Sequence, residues 1–308
     1  MFLKRHKKER LRREVVIYNR ETKRLEREKV FHEPLMIFLY YTLPGRLLTE
    51  LILSRRIFSK LYALFQKGPK SREKIEKFIK EYQIDIRELH RPLDEYESFN
   101  DFFTRRLKKG ARPIASSPDA LISPADGRLI SYDIEKGAVF DVKGSFMNVS
   151  RLLGRNHTPE MWADGLCVKI RLAPYDYHRF CYIDKGSHGP IKSIPGRLDS
   201  VSPLALWRKR SILQENKRDV VVLETENFGQ VAHVDVGAMT VGAIHQHFRG
   251  GTTFSRGQEK GYFSLGGSTI LLLFKKDVIQ LDEDITRYSK RGIETLVRYG
   301  SKIGRALK

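Results

Sequence analysis

The sequence predicts an α+β protein in which a β-rich domain follows an N-terminal helical segment. Residues 166–172 (LCVKIRL) alternate strictly between apolar and other side chains, as a strand with one buried face does. Residues 219–225 and 230–244 flank the turn ENFG and predict a hairpin, while residues 269–274 (TILLLF) predict a strand buried on both faces. Strands do not alternate regularly with long helices, which argues against a doubly wound nucleotide-binding sheet.

Composition limits the classes of partner and compartment. The chain has 308 residues, enough for a substantial core, and 31% of them are charged, which is typical of a soluble protein. Its formal net charge of +20 predicts an anionic partner: nucleic acid, an anionic bilayer or a phosphorylated substrate. The two cysteines, Cys167 and Cys181, are too few for a disulfide framework or a four-ligand zinc site, and they fit a reducing compartment.

The first 66 residues differ from the rest of the chain. Residues 1–30 contain twelve Lys/Arg against five Asp/Glu and are interpreted as a basic tail. Residues 31–66 are strongly apolar, but Pro44 and Gly45 interrupt the run before it reaches the about 20 residues that spanning a bilayer requires. Beyond Gly45, apolar residues recur at helical spacing with basic residues between them. This pattern predicts an amphipathic helix lying in a bilayer interface, and the alternative is a helix packed on the domain.

Residues 266–269 (GGST) directly precede the continuously apolar strand. Glycine permits backbone geometries that other residues resist, and it leaves its own carbonyl unshielded. The Ser268 hydroxyl can therefore attack the Gly267 carbonyl, which moves the chain from amide to ester, and elimination from the ester would cut the chain. The alternative is an ordinary turn before a strand, with Ser268 as a hydrogen-bonding turn residue.

Two further residues are candidates for chemistry. Asp126 lies in SPADGRL (123–129), where Asp-Gly fits a turn and where a carboxylate could also orient a histidine. His178 lies in LAPYDYHRFCYI (172–183), after a predicted strand and among aromatic residues. A histidine in such a segment is either a structural group or, near neutral pH, a general acid or base.

A metal site is a weaker hypothesis. His245 and His247 are two residues apart, so on a strand they share a face that suits a metal. The spacing indicates no third ligand, and we therefore predict that the protein has no metal site.

The chain resembles the phosphatidylserine decarboxylase proenzymes from about residue 38 to the C-terminus. The resemblance rests on an ordered set of motifs rather than on any one of them. The motifs are FLYYTLPGRLL, SFNDFFTRRLKKGARPI, SPADGRL, VKGSFMNVSRLLG, YDYHRF, VDVGAMTVGAI, YFSLGGSTILLLF and ETLVRYGSKIG.

The resemblance implies a pyruvoyl-dependent carboxy-lyase that converts phosphatidylserine to phosphatidylethanolamine and CO2. Residues 67–308 would form the catalytic domain, which cuts itself between Gly267 and Ser268. The β chain (1–267) and the α chain (268–308) would stay associated. Ser268 would become the pyruvoyl group that forms a Schiff base with the substrate.

The resemblance also implies a relay of Asp126, His178 and Ser268, in which the carboxylate orients the histidine and the histidine deprotonates the serine. Better-known members carry a second histidine in a Tyr-His-Arg-x-His pattern, whereas this chain has Cys181 at that position. We therefore assign the base to His178, with His188 in the following loop as the alternative.

The implied setting is the cytoplasmic face of a bacterial cell membrane, where a homodimer would act on phosphatidylserine in an anionic bilayer. The same machinery could instead serve another serine-headed lipid or a free amino acid. A third hypothesis is an uncleaved, inactive relative that binds membranes through its basic charge. Nucleic acid is not an expected partner, because the aromatic residues cluster with aliphatic ones rather than between lysines.

Overall fold

An eleven-stranded β-sheet is the main element of a mixed α+β fold. The computed structural model describes residues 14–141, 146–154, 158–209, 211–239 and 243–307. Part of the predicted basic tail and parts of two family-like motifs lie outside the described residues, namely 1–13, 142–145 and 240–242.

The strands, in chain order, are β1 (Val16–Asn19), β2 (Arg24–Arg27), β3 (Ala120–Ile122), β4 (Gly127–Asp133), β5 (Val139–Asp141), β6 (Phe146–Asn148), β7 (Leu166–Leu172), β8 (Arg179–Cys181), β9 (Gly186–His188), β10 (Lys192–Ile194), β11 (Arg218–Thr225), β12 (Gly229–Val236), β13 (Ile244–Gln246), β14 (Thr252–Phe254), β15 (Glu259–Phe263), β16 (Ser268–Phe274), β17 (Ile279–Leu281), β18 (Glu294–Val297) and β19 (Lys302–Ala306). The α-helices are α1 (Glu33–Tyr41), α2 (Leu43–Leu48), α3 (Arg56–Lys67), α4 (Lys74–Tyr82), α5 (Phe99–Phe103), α6 (Val149–Leu153), α7 (Pro203–Arg208), α8 (Ile212–Glu215) and α9 (Glu283–Lys290). A π-helical segment (Thr49–Leu53) follows α2, and short 3₁₀ turns lie at Pro69–Glu73, Ile86–Glu88, Leu93–Glu95 and Pro159–Trp162.

The main sheet has the strand order β14-β9-β11-β12-β16-β7-β4-β18-β1-β2, and β10 pairs with β11 beside this path. The pairs are antiparallel except for β1 with β18, which is parallel. Smaller sheets have the orders β13-β15-β8, β17-β19-β3 and β5-β6. The chain therefore reaches its main sheet mostly through hairpins and antiparallel returns, in agreement with the predicted α+β class.

Strand β16 lies near the middle of the main sheet, between β12 and β7, and all its residues are buried. Ile270 and Leu272 belong to the apolar cluster on one face of the sheet. Leu271 and Leu273 belong to the cluster on the other face. The prediction of a strand buried on both faces is confirmed.

The predicted hairpin is also confirmed, with one correction. Strands β11 and β12 pair along their whole length, and Thr225 faces Gly229 at the turn. The second predicted strand, residues 230–244, does not continue as one element. β12 ends at Val236, and β13 belongs to a different sheet.

Residues 14–30 were expected to belong to a basic tail, and the structure corrects this. They form the β1–β2 hairpin, which adds to the edge of the main sheet through β18. Tyr18 is buried and stacks on Tyr288, with 4.1 Å between the ring centroids. Arg20 forms ion pairs with Asp282 and Asp284 at 2.7 and 2.8 Å. The many basic residues around it made strand β1 hard to recognise in the sequence, although three of its four residues are buried.

The segment 31–66 is helical, as predicted, but it is broken rather than continuous. α1 ends at Tyr41, and the side chain of the next residue, Thr42, accepts a hydrogen bond from the Gly45 amide and caps the start of α2. A Cβ at Gly45 would lie 2.0 Å from the Phe38 carbonyl oxygen, so only glycine allows the two helices to approach this closely. Among the described residues no helix by itself has the length and apolar character to cross a bilayer. The pair Glu33–Tyr41 and Leu43–Leu53, bent by 89°, passes that test by length and composition alone.

The start of the motif SFNDFFTRRLKKGARPI contains the short helix α5. The Ser98 side chain accepts a hydrogen bond from the Asp101 amide and caps the helix. Phe99, Phe102 and Phe103 are buried in a cluster that also contains Leu265. Helix α5 thus packs against the chain just before residues 266–269.

Candidate active site

The turn before β16 presents two adjacent glycines to a cavity. Gly266 has a φ of 110°, a left-handed conformation that favours glycine. Gly266 and Gly267 both line the cavity, while Leu265 on one side and Ser268 on the other are buried. Ser268 starts β16 and pairs with Leu172 of β7. The peptide bond between Gly267 and Ser268 therefore lies between a turn that requires glycine and a fully buried strand.

Ser268 and His178 lie side by side, as the family resemblance implied. The Ser268 Oγ lies 3.4 Å from Nδ1 of His178, and both side chains are buried. The other ring nitrogen, Nε2, lies 3.0 Å from the Ala173 carbonyl oxygen, so Nε2 carries the proton and donates it there. Nδ1 then presents its lone pair to the serine hydroxyl. This is the arrangement that a general base needs, and such contacts commonly shorten when reaction begins.

His178 is held uncharged by its surroundings. Burial and the positive charge of Arg105 lower its pKa to about 3. Its ring also stacks on Phe103, with 4.2 Å between the centroids and 26° between the planes. The imidazole therefore keeps a free lone pair on Nδ1 and a fixed ring plane throughout the physiological pH range.

The lowered pKa predicts a pH dependence of folding stability. Between pH 6.5 and about 3 the unfolded chain binds a proton at His178 that the folded chain does not, so stability falls as the pH falls. From pH 7 to pH 5 this group alone costs about 2 kcal/mol of the free energy of unfolding. Urea unfolding of uncut Ser268→Ala protein, with and without His178→Gln, isolates this contribution. Parallel stability curves for the two proteins would contradict the prediction.

Asp126 does not make its predicted contact with His178. Its carboxylate accepts hydrogen bonds from Arg112, at 2.9 Å from Nε and 2.7 Å from Nη2, and from the Tyr299 amide at 2.7 Å. The group that orients His178 is instead the Ala173 carbonyl. The pairing of Arg112 with Asp126 has no local sequence pattern and is seen only in the folded chain, so the sequence could not predict it. A role for Asp126 in cleavage stays a prediction.

Cys181, which stands where relatives with two histidines have the second, does not replace that histidine chemically. Its thiol is fully buried, with the Ser123 carbonyl at 3.9 Å as acceptor, and burial raises its pKa to about 12. A thiol that stays protonated is not a base at neutral pH. The alternative base, His188, is engaged with the Tyr182 hydroxyl at 2.7 Å and the Gly189 carbonyl at 2.6 Å. Of these three residues, His178 is the one in contact with Ser268.

The two histidines of the metal hypothesis have separate partners. His245 contacts the Ser264 hydroxyl at 2.7 Å, and His247 contacts the Glu259 carboxylate at 2.6 Å. Within the described ranges, no group of three or more His, Cys, Asp or Glu side chains is placed to hold a metal ion.

A buried ion-pair network, two of whose members line the cavity, was missed by the sequence analysis. Arg171 donates to Glu28 at 2.6 Å and through Nε to Glu294 at 3.1 Å, and Lys169 donates to Glu294 at 3.0 Å. Arg128 continues the network, because it pairs with Glu28 at 2.8 Å and also with Asp176. Lys169 and Arg171, on the face of β7 opposite its apolar side chains, were the sequence signal that could have indicated this network.

The cavity beside Gly267 has a volume of about 380 Å³ and mostly apolar walls. Helices α1 to α3 and their connections form one wall, and Glu28 and Arg171 lie at its polar end. The helical side chains that line it are His32, Leu35, Met36, Phe38, Leu39, Leu48, Leu53, Phe58 and Tyr62. The cavity therefore links the N-terminal helices to the Gly267–Ser268 bond.

Comparison with known proteins gives one consistent result. A family model described as phosphatidylserine decarboxylase matches residues 99–305. Phosphatidylserine decarboxylase proenzyme 2 of Clostridium acetobutylicum is 44% identical over 290 residues, which cover 94% of this chain and 98% of the relative. The proenzyme of Clostridium perfringens is 40% identical over 291 residues, and that of Chlamydia pneumoniae 40% over 289. These alignments each cover 94% of this chain, and 99% and 96% of the respective relatives.

Proposed function

The chain belongs to the phosphatidylserine decarboxylase family, and we propose that it makes its own catalytic group by cutting itself between Gly267 and Ser268. As a member of this family it is a carboxy-lyase that converts phosphatidylserine to phosphatidylethanolamine and CO2. The relatives' designation as proenzymes fits a chain that must be cut before it acts. The observation that carries the proposal is the buried contact between Ser268 and His178, beside the cavity that Gly267 lines.

In the proposed cut, Nδ1 of His178 takes the Ser268 hydroxyl proton while Oγ bonds to the Gly267 carbonyl carbon. The carbon–nitrogen bond between the residues then breaks, the proton passes to the freed nitrogen, and an ester remains. Loss of the Ser268 Cα proton and cleavage of its Cβ–Oγ bond leave a carboxylate on Gly267 and a dehydroalanine at position 268. One water then displaces ammonia and leaves a pyruvoyl group.

The surroundings of residue 268 fit such a group. A pyruvoyl ketone supplies an electron sink for the pair released with CO2, a role that cofactors with a reactive carbonyl serve in decarboxylases. After the cut, pairing of β16 with β7 and β12 keeps residue 268 at the site. His178 stays beside it as the group placed to move a proton at the reacting substrate carbon. Such proton transfer typically contributes 10² to 10⁴ in rate.

The N-terminal helices support a lipid substrate. Eleven of the seventeen large, exposed apolar side chains of the described residues lie between Leu35 and Phe65. Arg46, Arg55 and Lys67 are exposed in the same segment. An apolar face edged by basic residues is suited to an anionic bilayer, and the adjoining cavity offers a route from that bilayer to Gly267. We accordingly propose peripheral attachment at the cytoplasmic face of the cell membrane, and we retain the homodimer as a proposal.

A substitution on this face tests the membrane proposal. Leu51 is 65% exposed, and we expect Leu51→Asp to weaken binding to vesicles containing phosphatidylserine by about thirtyfold, since about 2 kcal/mol of apolar contact is lost. The matched control is Leu25→Asp on β2, where the leucine is 45% exposed. Cosedimentation at physiological salt measures both proteins. Equal loss in both variants, or tighter binding of wild type to an oligonucleotide than to vesicles, would contradict the proposal.

The intact mass of the purified wild-type protein tests the proposed function. We expect two chains, 1–267 and 268–308, whose summed mass equals that of the precursor plus one water minus one ammonia. CO2 release should be far faster from phosphatidylserine than from free serine. A single uncut chain without decarboxylase activity would instead favour the inactive membrane-binding hypothesis.

A further inference from the structure

Two arginines lock together the segments that flank His178. The Arg105 Nη2 donates to the carbonyls of Tyr175 and Asp176, both at 3.1 Å. In return, Arg179 donates to the Thr104 carbonyl at 2.9 Å from Nη2 and to the Arg105 carbonyl at 3.2 Å from Nε. Each segment thus supplies a guanidinium to the other segment's backbone.

This exchange determines where the His178 ring lies. Phe103, two residues before Arg105, stacks on the imidazole. The Ala173 carbonyl, which accepts the hydrogen bond from Nε2, belongs to the same turn as the Tyr175 and Asp176 carbonyls that Arg105 holds. The Phe263 amide donates to the His178 carbonyl at 2.9 Å and ties the same segment to β15, just before the turn that is cut. Movement of the 104–105 segment would therefore displace the base relative to Ser268.

Arg105 is also unusual in charge. It is 95% buried, and its Nε and Nη1 have no hydrogen-bond partner among the described residues. No carboxylate of the described chain lies within ion-pair distance of it, whereas Arg112, Arg128 and Arg179 each have one. The carboxylates whose charges act on Arg105, Asp126 and Asp176, are paired with Arg112 and Arg128 instead, and burial lowers the pKa of Arg105. A buried guanidinium with unsatisfied donors beside a histidine in contact with Ser268 is a candidate functional group.

The charged groups that act on the His178 ring are Arg105 and Arg128, the latter from β4. Arg128 is offset by Glu28 and Asp176. After burial, Arg105 is therefore the larger of the two positive charges that lower the pKa of the ring. An imidazole in this field returns a proton readily, as a group that carries the serine proton to the departing nitrogen must.

We propose that Arg105 acts on His178 in two ways: its hydrogen bonds position the imidazole against Ser268, and its positive charge raises the electrostatic potential at the ring. The inference rests on the proposed roles of His178 and Ser268. The charge and the positioning can be tested separately. Arg105→Gln removes the charge, whereas Arg105→Lys keeps the charge but cannot bind the two carbonyls in the same way.

The test reads His178 directly in uncut protein. Nitrogen-15 histidine spectra of Ser268→Ala protein, assigned with His178→Gln, report the protonation and tautomer of the ring. We expect Arg105→Gln to raise the titration midpoint by on the order of one pH unit relative to Arg106→Gln, an equal charge change at the exposed neighbouring residue. Equal midpoints in the two proteins would overturn the proposal. Cutting of the Ser268→Ala parent would instead show, before any titration, that the proposed cleavage chemistry is wrong.

A second arm applies if Arg105→Gln fails to fold. In the otherwise wild-type chain made by cell-free synthesis, Arg105→Lys should cut itself at least tenfold more slowly than Arg106→Lys, because small displacements of a catalytic group are costly. The pH dependence of cutting should be the same in both proteins, since each keeps its charge. Equal cutting rates would overturn the positioning role.

Discussion

Replacing Ser268 with alanine leaves an intact chain of 308 residues and no decarboxylase activity, if the proposed chemistry is right. The serine oxygen has two roles: it attacks the Gly267 carbonyl, and it departs with Gly267 as part of the new carboxylate. Residue 268 also becomes the carbonyl group that accepts the substrate's electron pair. Alanine therefore removes the nucleophile and the precursor of the catalytic group in one step, and no neighbouring residue can replace both.

The matched control for this variant is Thr269→Val. Thr269 is the next residue in β16, and its hydroxyl is buried without a hydrogen-bond partner among the described residues. Valine has nearly the same shape, so this protein should cut and decarboxylate nearly as wild type does. Denaturing gels, intact mass and CO2 release from phosphatidylserine vesicles measure both variants. A Ser268→Ala chain that is cut at the normal rate would refute the role of this serine.

The family resemblance implied that Ser268 and His178 meet, and the short-range patterns around each residue agree with that contact. Ser268 follows two glycines and begins a run of apolar residues that only a central strand could bury. His178 follows the end of another predicted strand, β7, which proves to be the neighbour of β16. The ends of two paired strands lie close together, so the contact follows from the strand assignments once the strands are known to pair.

The partners of these residues were harder to predict, because they come from distant parts of the chain. Asp126 was expected at His178 but pairs with Arg112, and a backbone carbonyl takes its place. Every residue has a backbone carbonyl, so residue types could not predict that the Ala173 carbonyl would orient His178 in place of Asp126. The resemblance to the family supplied a relay whose residues are present here but whose contacts differ in the described structure.

Charge was the other source of error. Lys169 and Arg171 were expected on the less buried face of β7, yet they are 3% and 2% exposed. The residue that makes this burial possible is Glu28, which lay in the predicted basic tail and reaches the site on the β1–β2 hairpin. From a count of charges alone, Glu28 is expected on a solvated surface. In the fold it pairs with Arg171 and belongs to a buried network.

His178→Ala is expected to slow self-cleavage by 10² to 10⁴, the usual contribution of a positioned general base. Cys181→Ala should cut at nearly the wild-type rate, because its buried thiol stays protonated and has no contact with Ser268. His188→Gln should also cut normally, since His188 is engaged with Tyr182 and Gly189. Cell-free synthesis with timed sampling on denaturing gels gives the three rates on the same scale.

Imidazole added to His178→Ala distinguishes loss of a base from loss of structure. The substitution leaves a space beside Ser268, between Phe103 and the Ala173 carbonyl, that matches the missing ring. A free imidazole that binds there should restore part of the cutting, with a pH dependence set by its own pKa rather than by the depressed one of His178. Rates for Cys181→Ala should not respond. If Cys181→Ala stays uncut while His178→Ala cuts normally, then the base is assigned to the wrong residue, and the cysteine in the second position of the family pattern has a chemical role that its burial does not explain.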